Sequence, residues 1–127
     1  MRKKKNGASP SETELDILRM LWKHGPSTVR EMHDRLDREG KTVYTTVLKL
    51  MQIMHQKGLL VRDESSRSHV YEAAVSEDDV LDSFVDGVLE QAFEGSASRL
   101  VLHALSRRPA SKKEVEKIRR LLDELES

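Results

Sequence analysis

Three features of the sequence predict a mainly α chain with one small β-hairpin. Apolar residues recur at helical spacing in six segments. Capping signals of the Ser/Thr-x-x-Glu kind precede several of them. The helical pattern is interrupted once, by LLVRDESSRSHVYEAAV, where two β-branched and aromatic runs enclose Glu64-Ser65-Ser66-Arg67-Ser68. At 127 residues the chain suits one domain of ordinary size, or one small domain with an assembly segment.

The elements follow in order. Ser9-Pro10-Ser11-Glu12 reads as an N-cap, a proline at the first helical position and a glutamate at the third, so a first helix is expected there. Leu15, Leu18, Leu21 and Trp22 form its apolar stripe, and His24-Gly25-Pro26 breaks it. Thr28-Val-Arg-Glu31 is a capping box for a short second helix carrying Val29, Met32 and Leu36 and ending near Glu39-Gly40. Thr42 is the expected cap of a third helix in which Val43, Val47, Leu50 and Met54 point inward, Leu48, Met51 and Ile53 widen the apolar surface, and Gly58 terminates. Thr45, Lys49, Gln52 and Gln56 make its polar face, flanked by Thr42 and Thr46. The hairpin comes next, with a loop longer than a two-residue turn because no Asn-Gly is present.

Three short helices and a hairpin within about 65 residues is the order of a winged helix-turn-helix. Beyond it, Ser76-Glu-Asp-Asp79 opens a fourth helix with acids in its first turn, where the helix dipole favours them. Ser96 starts a fifth, broken at Pro109, and the capping box Ser111-Lys-Lys-Glu114 starts a sixth with Val115, Ile118, Leu122 and Leu125 in heptad spacing. These three helices carry more apolar face than they can bury on one another, which a symmetric dimer supplies. Leu81, Phe84, Val85, Val88, Leu89, Phe93, Leu100, Leu102, Ile118 and Leu122 are the expected dimerisation residues. The expected organisation is therefore a disordered basic tail (1–8), a winged helix-turn-helix domain (9–75) and a three-helix dimerisation domain (76–127).

Charge distribution separates the two halves. Basic and acidic residues balance at 22 each, yet residues 1–75 are net +4 and residues 76–127 net −4. From Lys41 to Arg62 there is no aspartate or glutamate in 22 residues, while Lys41, Lys49, Lys57 and Arg62 are positive. A polyanion approaching the third helix meets no like charge. Small hydroxyl side chains let a helix lie close to base edges, where threonine, glutamine and lysine each have pairing partners. Thr42, Thr45, Thr46, Lys49 and Gln52 are thus candidate contacts to double-stranded DNA, and Arg67 at the hairpin tip a candidate contact to phosphate or minor groove. The plainer alternatives are threonines that only cap and pack, and a solvated turn arginine. The MRKKKN tail serves equally well as a nonspecific DNA arm or a solubility tail.

Other chemistries find little support. The absence of cysteine removes disulfides, thiolate metal sites and cysteine nucleophiles. Histidines 24, 33, 55, 69 and 103 show no i, i+3 or i, i+4 pairing, so no metal is expected. Asp78-Asp79 is explained by the helix dipole, and neither a glycine-rich phosphate loop nor a Ser-His-Asp arrangement is visible, so no catalytic residue, cofactor or small-molecule ligand is assigned. MRKKKNG is followed by no apolar run and no segment reaches bilayer-spanning length, so the expected location is cytoplasmic.

DILRMLWKHGPSTVREMHDRL, VYTTVLKLMQIMHQKGLLVRDESSRSHVYEA and GSASRLVLHAL, in that order, resemble the penicillinase-repressor family of β-lactamase and methicillin-resistance repressors and their copper-responsive relatives. The resemblance covers roughly residues 10–126. It implies a homodimeric transcriptional repressor, winged-helix domains on a palindromic operator, and derepression when a membrane-bound sensor metallopeptidase triggers cleavage. It matches Thr45, Thr46 and Lys49 to DNA-facing positions of the recognition helix and Arg67 to the wing. Two departures stand out. Ile53 occupies a place where many members have arginine, and the susceptible bond aligns with His103-Ala104 but has different flanking residues. The C-terminal cysteine cluster of copper-responsive relatives is missing. From a different class, the competing expectation is a winged-helix protein-protein interaction module without specific DNA binding.

Overall fold

The structure is a computed structural model that describes residues 10–37 and 39–127. The expectation for the basic tail, residues 1–8, lies outside the described residues. The elements are α1 (Glu12–His24), β1 (Ser27–Thr28), α2 (Val29–Leu36), α3 (Tyr44–Gln56), β2 (Leu60–Asp63), β3 (Val70–Ala73), α4 (Glu77–Ala92), α5 (Ala97–Arg107) and α6 (Lys112–Glu126). The mainly α class with a small hairpin is as the sequence predicts. The chain divides into two compact units, one running through Val85 and one from Asp86, so the division falls inside α4.

Local signals place most helix starts correctly. Thr28 caps α2 and Ser111 caps α6 through reciprocal boxes with Glu31 and Glu114, and Ser96 caps α5. For α1 the box sits two residues later than expected: Ser11 Oγ accepts the Glu14 N–H at 3.2 Å and Glu14 Oε1 accepts the Ser11 N–H at 3.0 Å. The expected cap, Ser9, lies outside the described residues. Glu14 also receives Lys57 Nζ on Oε2 at 2.7 Å, a tie across 43 residues that reinforces the Ser11/Glu14 box. Helix α2 ends at Leu36 rather than near Gly40, because Asp37 leaves the helical conformation and its Oδ1 accepts the Thr42 N–H at 2.9 Å.

The sheet has one strand more than the expected hairpin. Strands β2 and β3 pair antiparallel from Leu60–Ala73 to Asp63–Val70, and β1 adds to the other edge of β3 through Ser27–Tyr71 and Thr28–Val70, giving the order β1-β3-β2. Two residues carry too little period-2 pattern to be read as a strand. Their side chains hold the turn before α2, since Arg35 Nη1 donates to Ser27 Oγ at 2.7 Å and Ser27 Oγ donates to the Gly25 carbonyl at 2.9 Å.

The core of the first unit draws Ile17, Leu18 and Leu21 from α1, Val29 and Met32 from α2, Val47, Met51 and Met54 from α3, Leu60 and Tyr71 from the sheet and Val80 from α4. The inward stripe of α3 therefore differs from the expected one. Met51 is fully buried, Leu50 is half-buried and Val43 is 57% exposed. Val43 is the N-cap residue, in extended conformation, so its side chain leaves the helix axis before the i, i+4 rows begin. Trp22 joins the end of the sheet segment through Nε1–H to the Val75 carbonyl at 3.0 Å.

In the second unit no residue from Asp86 to Ser127 is buried. Val88, Val101, Leu102, Leu105, Leu121, Leu122 and Leu125 are exposed, Leu125 at 73%. Phe93 and His103 pack against each other with ring centroids 5.4 Å apart.

Candidate nucleic-acid interface

The outer face of α3 carries Thr45, Thr46, Lys49, Gln52 and Gln56, all exposed, opposite the buried Val47, Met51 and Met54. Helical periodicity separates the two sets: one holds the helix in the core, leaving the other free for a partner. The helix is fixed at both ends. Near its C-terminus Lys57 binds Glu14, which is 3% exposed. Burial works against the Glu14 charge, but hydrogen bonds from Lys57 and the Ser11 backbone outweigh it and hold the carboxyl below its ordinary value.

At the N-terminus of α3 Thr42 is not the cap. Val43 is, and no side chain caps the helix. Instead Thr42 is held in the α2–α3 turn, its N–H donated to Asp37 and its carbonyl accepting His33 Nε2–H at 2.8 Å. His33 Nδ1 lies 3.2 Å from Asp34 Oδ1, and Asp37 Oδ2 is 3.7 Å from Nε2. The Thr42 carbonyl and then the Asp34 carboxylate raise the His33 pKa above its ordinary value, because both favour a ring with two N–H groups. Half-buried Thr42 is thereby drawn into the turn and away from the exposed row of Thr45, Thr46, Lys49 and Gln52.

Grooves lie on two sides of α3, and among the described residues neither is lined by an acid. On the α1 side the lining is Ser11, Thr13, Thr45, Thr46, Lys49, Leu50 and Ile53. Ile53 thus shares a wall with three of the candidate contacts and gives that wall an apolar edge. On the wing side Arg67 joins Thr28, Arg30, Tyr44, Ser68 and His69 above Val29, Leu48 and Tyr71. Grooves elsewhere on this unit do contain acids, such as Asp16 or Asp63 and Glu72. The wing's own acids are engaged locally: Asp63 Oδ1 accepts the Ser65 N–H at 2.9 Å and Glu64 Oε2 accepts Arg62 Nε–H at 2.6 Å. The Ser65 hydroxyl and then its backbone N–H hold the Asp63 carboxyl, and Arg62 holds that of Glu64, below their ordinary values, and Arg67 remains exposed at the tip.

Four residues beside the expected set escaped the sequence reading. Thr13 lines the first groove, and Arg30, Tyr44 and His69 line the second. Arg30 alone left a signal, a cation in the first turn of α2 where the dipole favours anions. Among the described residues no group of three His, Asp or Glu side chains gathers to hold a metal, and no helix is long and apolar enough to cross a membrane.

The chain is similar to known proteins over most of its length. The transcriptional regulator BlaI of Mycobacterium tuberculosis is 30% identical over 118 residues, covering 91% of this chain and 84% of that protein. The penicillinase repressor of Bacillus licheniformis is 25% identical, covering 90% and 89%, and the methicillin resistance regulatory protein MecI of Staphylococcus aureus is 22% identical, covering 89% and 92%. In fold, the solution structure of the DNA binding domain of the repressor BlaI matches 60% of this chain and 93% of its own length, with a TM-score of 0.51 and 24% identity. The crystal structure of transcriptional regulator Tm0710 from Thermotoga maritima matches 91% of this chain and 73% of its own, again with a TM-score of 0.51, at 19% identity. The penicillinase repressor family profile matches residues 10–124, and the chain belongs to this family of transcriptional repressors, not of enzymes.

Proposed function

We propose that the protein represses transcription as a homodimer on a palindromic operator, acting in the cytoplasm. One α3 from each protomer enters the major groove, the half-sites lying about one helical turn apart. The observation that carries this reading is the exposed α3 face of Thr45, Thr46, Lys49 and Gln52 between two grooves without acids. Polar side chains that match base edges lie on a helix free of like charge, with Arg67 on the wing beside it.

Residues 9–75 form the DNA-binding domain in this reading and residues 76–127 the dimerisation domain. The unburied apolar side chains of α4 to α6 support the second assignment. Among the ten expected contacts, Leu81, Val85, Val88, Leu102 and Leu122 are exposed and the other five only half-buried. A partner copy turns that surface into a core.

Release from DNA follows cleavage triggered by a membrane-bound sensor metallopeptidase. The aligned bond, His103-Ala104, is exposed within α5, so cleavage there requires local opening of that helix. A gel-shift titration against the promoter region of its own operon tests the DNA reading. A salt-dependent shift that resists nonspecific competitor is expected. A chain that retards no such fragment is instead a winged-helix protein-protein interaction module.

A further inference from the structure

We propose that Arg30, held across the face of Tyr44, binds a backbone phosphate of the DNA in the groove that it lines together with Arg67, between α2, α3 and the wing. The inference rests on the DNA-binding reading and adds a contact outside α3. The Arg30 guanidinium carbon lies 4.6 Å from the centroid of the Tyr44 ring. Tyr44 is itself held edge-on by His33, with centroids 5.8 Å apart and planes at 66°. An aromatic ring attracts the charge of a guanidinium without accepting hydrogen bonds in the way a carboxylate does, so N–H groups of Arg30 remain for an anion.

Among the described residues no acid already pairs with that charge, and Arg67 likewise forms no ion pair. The neighbouring acid, Glu31, is turned back onto the Thr28 N–H at 2.8 Å. Among the described residues no acid lines the groove, whose polar wall is completed by Thr28, Ser68 and His69. Arg30 stands at the second position of α2, where the helix dipole disfavours a cation. A phosphate bound there reverses that cost, since the helix end and the guanidinium then attract the same anion. The contact carries no base information, so it sets the register of the duplex while α3 reads sequence.

The test uses full-length protein and a duplex that the wild type enriches from a randomised library, compared with a scrambled duplex. Arg30→Ala is expected to weaken both by a similar factor, about tenfold, and to flatten the dependence of log affinity on log salt by about one per bound protomer. Tyr44→Phe keeps the ring and should retain wild-type behaviour. A neutral methylphosphonate placed at successive backbone positions should weaken the wild type at one position per half-site where it leaves Arg30→Ala unaffected. Unchanged affinity and salt slope in folded Arg30→Ala, with wild type still binding, overturn the phosphate contact and leave the DNA reading intact. A loss confined to the enriched duplex overturns it too, making Arg30 a base reader. A wild type that enriches no duplex removes the DNA reading itself.

Discussion

The two units of the chain treat their apolar residues in opposite ways. The first closes a core around Ile17, Leu18, Met32, Met51, Met54, Leu60 and Tyr71, each at most 1% exposed. The second, from Asp86 onward, buries no residue although it carries long aliphatic stripes on α5 and α6. Helix-forming pattern alone therefore does not make a core. Six elements, α1, α2, α3, β2, β3 and α4, enclose side chains in the first unit, whereas the helices of the second leave their apolar stripes uncovered. The same contrast separates stability from function. The first unit holds its shape within one chain and can present α3, whereas the second has surface left for association.

The largest expected effect comes from charging the uncovered stripes. Ile118→Asp combined with Leu122→Asp should leave a monomer by sedimentation velocity and lower operator affinity by about 10²- to 10⁴-fold, the gain that two linked contacts provide. The first unit should keep its melting behaviour; if the doubly substituted chain stays dimeric, α6 is not the seam. Truncating the closed core is next. Met51→Ala should cost about 2–5 kcal/mol in denaturant unfolding, equally at low and high protein concentration, because that core needs no second copy. On the outer face of the same helix, Lys49→Ala or Thr46→Ala should leave stability nearly unchanged and cost about 1–3 kcal/mol of operator binding with relaxed specificity. Unaltered operator affinity in a folded dimer would move the recognition surface off α3.

The smallest effect concerns pH. The folded-state pKa of His33 lies above its ordinary value of 6.5, raised by the Thr42 carbonyl and by Asp34. Its contribution to the α2–α3 turn is therefore complete below about pH 6.5 and lost as pH rises through the raised value. Thermal melts across that range should show a decline that His33→Gln removes, confined to the first unit. Persistence of the decline in the variant would assign it to another group.

Much of the fold was legible because its signals are short-range. Caps at Thr28, Ser96 and Ser111 depend on residues three positions away, and the hairpin announces itself by its own alternation. The candidate face of α3 was legible for a similar reason, as an acid-free run with polar residues at helical spacing. At the start of α3 the short-range signal fails for Thr42 and Val43. A threonine before a helix looks like a cap, but Asp37 and His33 claim the Thr42 backbone for the turn and leave Val43 as the cap residue.

By itself the sequence determined where helices begin, where the hairpin lies, and that one helix would be free of acids, since these follow from residues within a turn or two of each other. Tertiary structure decided the rest. It tied the Ser11/Glu14 box of α1 to Lys57, 43 residues away, attached β1 to β3, and selected Met51 over Val43 and Leu50 for the core. It also brought Arg30 onto Tyr44 and both into one groove with Arg67. Each of these outcomes is a competition among partners distant in sequence, and periodicity along the chain contains no term for them.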